Sequence, residues 1–161
     1  MSRLTTPVIR RRSVDISSML QRTALPEALK KIYAGRGISD PADLTLTLDQ
    51  LLPPVTLKGI GEAAELLADA IEGEARVLVV GDFDADGATS CAMAVSVLRQ
   101  MGLKEVAYLV PNRFEFGYGL TPEIVELAAA QMPDLIVTVD NGISSIEGVS
   151  AAQALGISVL V

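Results

Sequence analysis

From residue 77 onward the chain alternates short apolar runs with longer amphipathic ones. Val77-Leu78-Val79-Val80 reads as a buried strand and Ala88 to Met101 as a helix closed by Gly102. Val106 to Val110 is a second strand, Pro122 to Gln131 a helix, and Leu135 to Val139 a third strand. Ile146 to Leu155 then reads as a helix closed by Gly156, and Ile157 to Val161 as a fourth strand. The strands lack polar alternation and are separated by helices. This pattern predicts an α/β fold: a parallel sheet with helices on both faces and right-handed crossovers.

Upstream, the helix from Gly61 to about Glu72 carries Ala63, Ala64, Leu67, Ala68 and Ile71 at helical spacing. Pro26 opens a shorter helix, Glu27 to Ala34, stopped by Gly35 and Gly37, and Ser39-Asp40-Pro41 can cap another. Leu44, Leu46, Leu48, Leu51 and Leu52 follow before Pro53-Pro54. Residues 1–24 read as extended or loosely ordered. Two regions result: a basic arm with a helical lead-in over 1–57, and an incomplete α/β domain over 58–161. The chain stops at Val161 inside an apolar strand, where the next functional loop of such a sheet would begin, so it is expected to be the front part of a longer protein.

Composition narrows the chemistry. No histidine occurs among the 161 residues, and Cys91 is the single cysteine. The commonest general base is therefore missing, an intramolecular disulfide is excluded, and catalysis must run on carboxylates, hydroxyls and backbone. Cys91 lies in an apolar stretch and reads as core filler. The net charge of −7 is unevenly spread: residues 1–36 hold eight Lys/Arg, including Arg10, Arg11 and Arg12, against two acids. That segment is either a solvated tail or an arm that meets a polyanion. Neither a membrane span nor a secretory leader is evident, and a soluble cytoplasmic protein is expected.

The sharpest motif is Gly81-Asp82-Phe83-Asp84-Ala85-Asp86-Gly87, directly after the first strand. Three carboxylates in five residues repel one another, and a cation relieves the cost. Oxygen-only ligands suit hard ions such as Mg²⁺ or Mn²⁺. Alternation places Asp82, Asp84 and Asp86 on one side if the segment stays extended. Thr89 and Ser90 then fall in the first turn of the next helix, whose free N–H groups suit a phosphate. At the end of the third strand, Asp140-Asn141-Gly142-Ile143-Ser144-Ser145 repeats the layout. Asp140 either caps the following helix or faces the first cluster, with Ser144 or Ser145 taking over the cap. After the second strand, Asn112-Arg113-Phe114-Glu115-Phe116-Gly117-Tyr118 offers Arg113 for a phosphate and Phe114, Phe116 and Tyr118 for stacking on bases. The alternative is a loop whose aromatics cover the core.

Rival motifs share some of these letters. An EF-hand loop requires an acid at its twelfth position, which here is Met93. A haloacid-dehalogenase-type phosphatase also places Asp-x-Asp after its first strand, but it needs a downstream lysine, and none occurs after Lys104. A receiver domain likewise needs a late lysine, and a non-catalytic DNA-binding module would use only the basic arm.

Taken together, the segments Val79 to Ser90, Tyr108 to Glu115, Gly117 to Leu120 and Ile136 to Ser145, behind the Arg10-Arg11-Arg12 lead, resemble the DHH-family phosphoesterases along nearly the whole chain. The resemblance implies a metal-dependent 5′-to-3′ exonuclease acting on single-stranded DNA in repair and recombination, with two Mn²⁺ or Mg²⁺ ions. It casts Asp82, Asp84, Asp86 and Asp140 as metal ligands and catalytic residues, with Asp140 between the ions. Ser90, Asn112, Arg113 and Asn141 are the candidate substrate contacts. It also implies a single-strand-binding protein and a helicase as partners. The Asp-His-His motif that names the family is expected just beyond Val161, so tight two-metal binding and turnover are not expected of this chain alone.

Overall fold

The computed structural model describes residues 13–161; the Arg10-Arg11-Arg12 lead lies outside the described residues. The chain divides after Pro53 into two compact units. In the first, α1 spans Ser18–Gln21 and α2 spans Glu27–Gly35. Ser17 caps α1 by accepting from the Leu20 N–H, so within the stretch expected to be extended residues 18–21 form one helical turn; the part of that expectation that falls on residues 1–12 lies outside the described residues. Two single 3₁₀ turns follow, Pro41–Leu44 and Leu48–Gln50. Asp40 caps the first of them as its Ser-Asp-Pro context anticipates. Leu46, in the link between the two turns, and Leu48, at the start of the second, stay almost fully exposed, since single 3₁₀ turns offer no continuous face to bury.

The second unit opens with a 3₁₀ turn, Pro54–Thr56, and α3 (Ile60–Glu72). It then alternates β1 (Val77–Val80), α4 (Ala85–Gln100), β2 (Val106–Leu109), α5 (Arg113–Phe116), α6 (Pro122–Ala129), β3 (Leu135–Thr138), α7 (Ile146–Ala154) and β4 (Ser158–Leu160). The four strands form one parallel sheet in the order β2-β1-β3-β4. Every residue of β1 and β3 is buried, as central strands covered on both faces require. Successive side chains point to opposite faces. Val77 and Val79 join Cys91, Val95 and Leu98 of α4 in one core, whereas Leu78 and Val80 join Ile124, Val125 and Ala128 of α6 and Ala152 of α7 in the other. Cys91 is a free, buried thiol in the first of these cores, as its apolar setting anticipates.

The base of the sheet is tied by Asp134. Its carboxylate accepts from the Arg76 backbone N–H at 2.8 Å, while its own N–H donates to the Arg76 carbonyl at 2.9 Å. The bond from the Arg76 N–H, helped by the Arg76 side chain, holds the Asp134 carboxyl below its usual range. A carboxyl depressed in the folded state adds stability above its unfolded value and loses it as pH falls through the folded value. Asp134→Ala is therefore expected to lower the thermal midpoint at neutral pH, with the gap to wild type closing below the ordinary carboxylate range. Melts at a series of pH values check this; a gap that persists unchanged in acid contradicts it.

Candidate metal centre

The strand order fixes where a site can form. The chain leaves β1 toward β2 on one side and returns to β3 on the other, so the crevice beyond the carboxyl ends of β1 and β3 is the topological switch point. Val80 pairs with Thr138, and Asp82 and Asp140 each lie two residues past that level. Asp82, Asp84 and Asp140 each bring one carboxylate oxygen to within 4.8 Å of the other two.

Local structure places each of the three. Asp82 is 7% exposed, and its Oδ1 accepts from the Phe83 N–H at 2.7 Å. Asp84 is the N-cap of α4, its Oδ1 accepting from the Gly87 N–H at 3.1 Å. Asp140 sits at φ +60°, a left-handed conformation that Asp tolerates better than most residues. The Tyr118 hydroxyl fixes this turn by donating to the Asp140 carbonyl at 3.0 Å. Asn141 ties the two strand ends together: its Nδ2 donates to the Val80 carbonyl at 3.2 Å and to the Val139 carbonyl at 2.9 Å.

Asp86 stands apart from the trio. The capping bond of Asp84 starts α4 at Ala85, three residues before the expected Ala88, and carries Asp86 onto the first helical turn. The extended segment that would align three aspartates on one side does not form. Asp86 acts on Asp140 through charge but contributes no oxygen to the trio. Thr89 moves for the same reason into the second turn, where its hydroxyl donates to the Ala85 carbonyl at 2.8 Å. Ser90, half-buried, follows it on α4.

The loop after β2 forms the rim. Asn112 caps α5, its side chain accepting from the Phe114 N–H at 3.1 Å. Nη2 of Arg113 donates to Asp82 Oδ2 and also contacts Asp84 Oδ2 at 3.4 Å, while the guanidinium carbon lies 5.5 Å from the centre of the Tyr118 ring. The aromatics divide. Phe116 packs against the core, whereas Phe114 is 91% exposed and meets Phe83 edge to face with centroids 6.4 Å apart. Ser145 is the N-cap of α7 by position, but its hydroxyl accepts from the Leu120 N–H at 3.0 Å instead of capping. The pairing of Arg113 with the acids, the Tyr118 bond to Asp140 and the Phe83–Phe114 ring contact join residues distant in sequence, and no local pattern announces them.

The electrostatics follow this geometry. The Arg113 bond is the main cause that holds Asp82 below the usual carboxylate range, against the opposing effect of burial. The Gly87 N–H does the same for Asp84. Asp140 is pushed the other way, first by loss of hydration and then by the facing charges of Asp84, Asp86 and Asp82. Three converging carboxylates, one of which resists ionisation, are the donor set a hard divalent cation neutralises, so the residues fit Mg²⁺ or Mn²⁺.

Comparison with known proteins agrees with this architecture. Residues 76–161, just over half of the chain, match the DHH family, N-terminal domain. Among curated proteins, the single-stranded-DNA-specific exonuclease RecJ of Escherichia coli (strain K12) is 49% identical over 153 residues, covering 95% of this chain and 26% of that protein. RecJ of Dickeya dadantii is 54% identical over 138 residues, covering 86% of this chain and 24% of that protein. The crystal structure of RecJ from Thermus thermophilus in complex with Mn²⁺ superposes with a TM-score of 0.57 at 29% identity, over 89% of this chain and 19% of that one. The chain thus spans about a quarter of the length of the curated relatives it matches. Among the described residues, no helix is long and apolar enough to cross a membrane. With its parallel sheet, strand-end aspartates and family match in agreement, the chain belongs to the DHH family.

Proposed function

We propose that this chain supplies the carboxylate half of a two-metal centre that hydrolyses phosphodiester bonds, within a 5′-to-3′ exonuclease for single-stranded DNA. The observation that carries this reading is the convergence of Asp82, Asp84 and Asp140 at the switch point of a DHH-family sheet. The names of its relatives, and the Mn²⁺ held by the Thermus protein, support the substrate and the metal. DHH membership also favours phosphodiester hydrolysis over a dehalogenase-type phosphatase and over a non-catalytic DNA-binding module.

When bound, Mn²⁺ or Mg²⁺ supplies Lewis-acid polarisation of the phosphate and lowers the pKa of a coordinated water. Asp82, Asp84 and Asp140 would hold the metal, and Asp86 adds negative charge from the first turn of α4. Arg113 is the cation placed to meet a phosphodiester, while Asn112 and Asn141 set the loops around it and Ser90 follows on α4. The exposed rings of Phe83, Phe114 and Tyr118 border the crevice and offer stacking surfaces for unpaired bases, which a duplex would keep to itself. A role in DNA repair and recombination in the cytoplasm, beside a single-strand-binding protein and a helicase, belongs to the same reading.

The reading is tested by exchanging this chain for the matching segment of the E. coli relative and assaying the chimera with Mn²⁺. A 5′-labelled single strand is expected to release its label as short product from the start of the reaction, with a 3′ label released last and duplex DNA spared. Early release of the 3′ label, or equal attack on duplex, contradicts it.

A further inference from the structure

Arg113 occupies an unusual position for an arginine beside carboxylates. A guanidinium facing an acid commonly uses its fork, two nitrogens against two oxygens of one partner. Here one nitrogen, Nη2, lies between Oδ2 of Asp82 and Oδ2 of Asp84, as a bridging cation would. The remaining oxygens are also engaged, since Oδ1 of Asp82 accepts from the Phe83 N–H and Oδ1 of Asp84 from the Gly87 N–H. Two of the three carboxylates of the trio are thus satisfied by the protein's own donors, with Arg113 providing the only full positive charge among those donors.

The loop that carries Arg113 is held at its far end. Tyr118 bonds to the Asp140 carbonyl, and Leu120 N–H donates to Ser145 Oγ, so this end is attached to the segment after β3. Tyr118 also lies under the guanidinium, 5.5 Å from ring centre to Cζ. The arginine side chain is 40% exposed, so it has open space into which to turn while keeping an aromatic face beside it.

Resting on the metal-centre reading above, we infer that Arg113 is an exchangeable counter-ion. It holds Asp82 and Asp84 together, competes with a divalent cation for the same oxygens, and is released toward the crevice when the cation binds. The exchange links two events that hydrolysis needs together, metal loading and a free guanidinium beside the phosphate. It also makes metal binding weaker than the three carboxylates alone would allow, because one positive charge must leave before another enters.

Calorimetric titration of the chain with Mn²⁺ at low salt tests this without an activity assay. Arg113→Gln, which removes the charge from an exposed side chain, is expected to bind Mn²⁺ about tenfold or more tightly than wild type, the size expected when a like charge leaves a site at this range. Arg113→Lys keeps the charge and is expected to stay within about threefold of wild type. Binding by Arg113→Gln where wild type shows none also supports the exchange. Equal or weaker binding by Arg113→Gln, with Asp140→Asn abolishing binding in both backgrounds, overturns the exchange and leaves the metal centre standing. Absence of Mn²⁺ binding in wild type and Arg113→Gln alike, both in the chain and in the chimera that restores the remainder of the E. coli relative, overturns the metal centre, and the inference with it.

Discussion

Asp84→Ala is expected to weaken divalent-ion binding by at least about a hundredfold and to abolish hydrolysis by the chimera described above. Loss of an outer partner of a metal ligand costs about 10–100-fold in affinity or activity, so loss of a ligand sets at least the upper end of that range. Asp84 has two tasks that alanine removes together. It supplies one oxygen to the trio with Asp82 and Asp140, and it caps α4 through the Gly87 N–H. Asp84→Asn separates them, because asparagine caps a helix about as well as aspartate while carrying no charge. The asparagine variant is expected to melt close to wild type and yet be as deficient in Mn²⁺ binding as the alanine variant. If asparagine restores binding, Asp84 matters as a cap and the ligand assignment is wrong.

Gly87→Ala is expected to produce the largest structural effect near the site. A Cβ at residue 87 would lie 2.3 Å from the Asp82 carbonyl oxygen, 2.6 Å from its nitrogen and 2.7 Å from its carbonyl carbon. All three are main-chain atoms that no rotamer change can move. The helix must retreat from the end of β1, at a cost of about 1–3 kcal/mol for an overpacked contact, and the midpoint of unfolding falls by several degrees. Because Asp84 caps this helix, the retreat also pulls Asp84 away from Asp82 and Asp140, so metal binding falls with stability. Gly61→Ala is the contrasting case. Nothing lies within 4 Å of its added methyl group, and it sits in α3, so alanine there is expected to raise stability slightly through helix propensity. Thermal melts of the two variants check both directions; a Gly87→Ala protein with wild-type stability and Mn²⁺ affinity contradicts the close-packing argument.

The parts of the fold legible in the sequence were those governed by burial. Val77 to Val80 and Leu135 to Thr138 are buried at every position because both faces of the sheet are covered, and this leaves a near-continuous apolar signature. Strand ends followed by Asp and Gly mark the crevice of a parallel sheet, which is why the sequence points to Asp82, Asp84, Asp86 and Asp140 together; it does not separate Asp86 from the three whose oxygens converge. The start of α4 escapes the hydrophobic periodicity, which begins at Ala88, whereas the helix is set by a capping bond from the Gly87 N–H to Asp84. Reading Asp84-x-x-Gly87 as a cap would have placed Asp86 on the helix. The roles of Arg113 and Ser145 depend on partners 31, 29 and 25 residues away, and such relations leave no local trace. The loop aromatics illustrate the same limit. Phe114 and Phe116 sit two residues apart on one short helix, yet one is exposed at the rim and the other packs into the core.

The claim that three aspartates from two strand ends form one cation site is tested most directly by crystals of this chain soaked in Mn²⁺ and measured for anomalous scattering. The account predicts a peak among Asp82, Asp84 and Asp140, with the Arg113 guanidinium moved away from Asp84. A well-ordered trio without a peak, or Mn²⁺ bound only at other carboxylates, would contradict it.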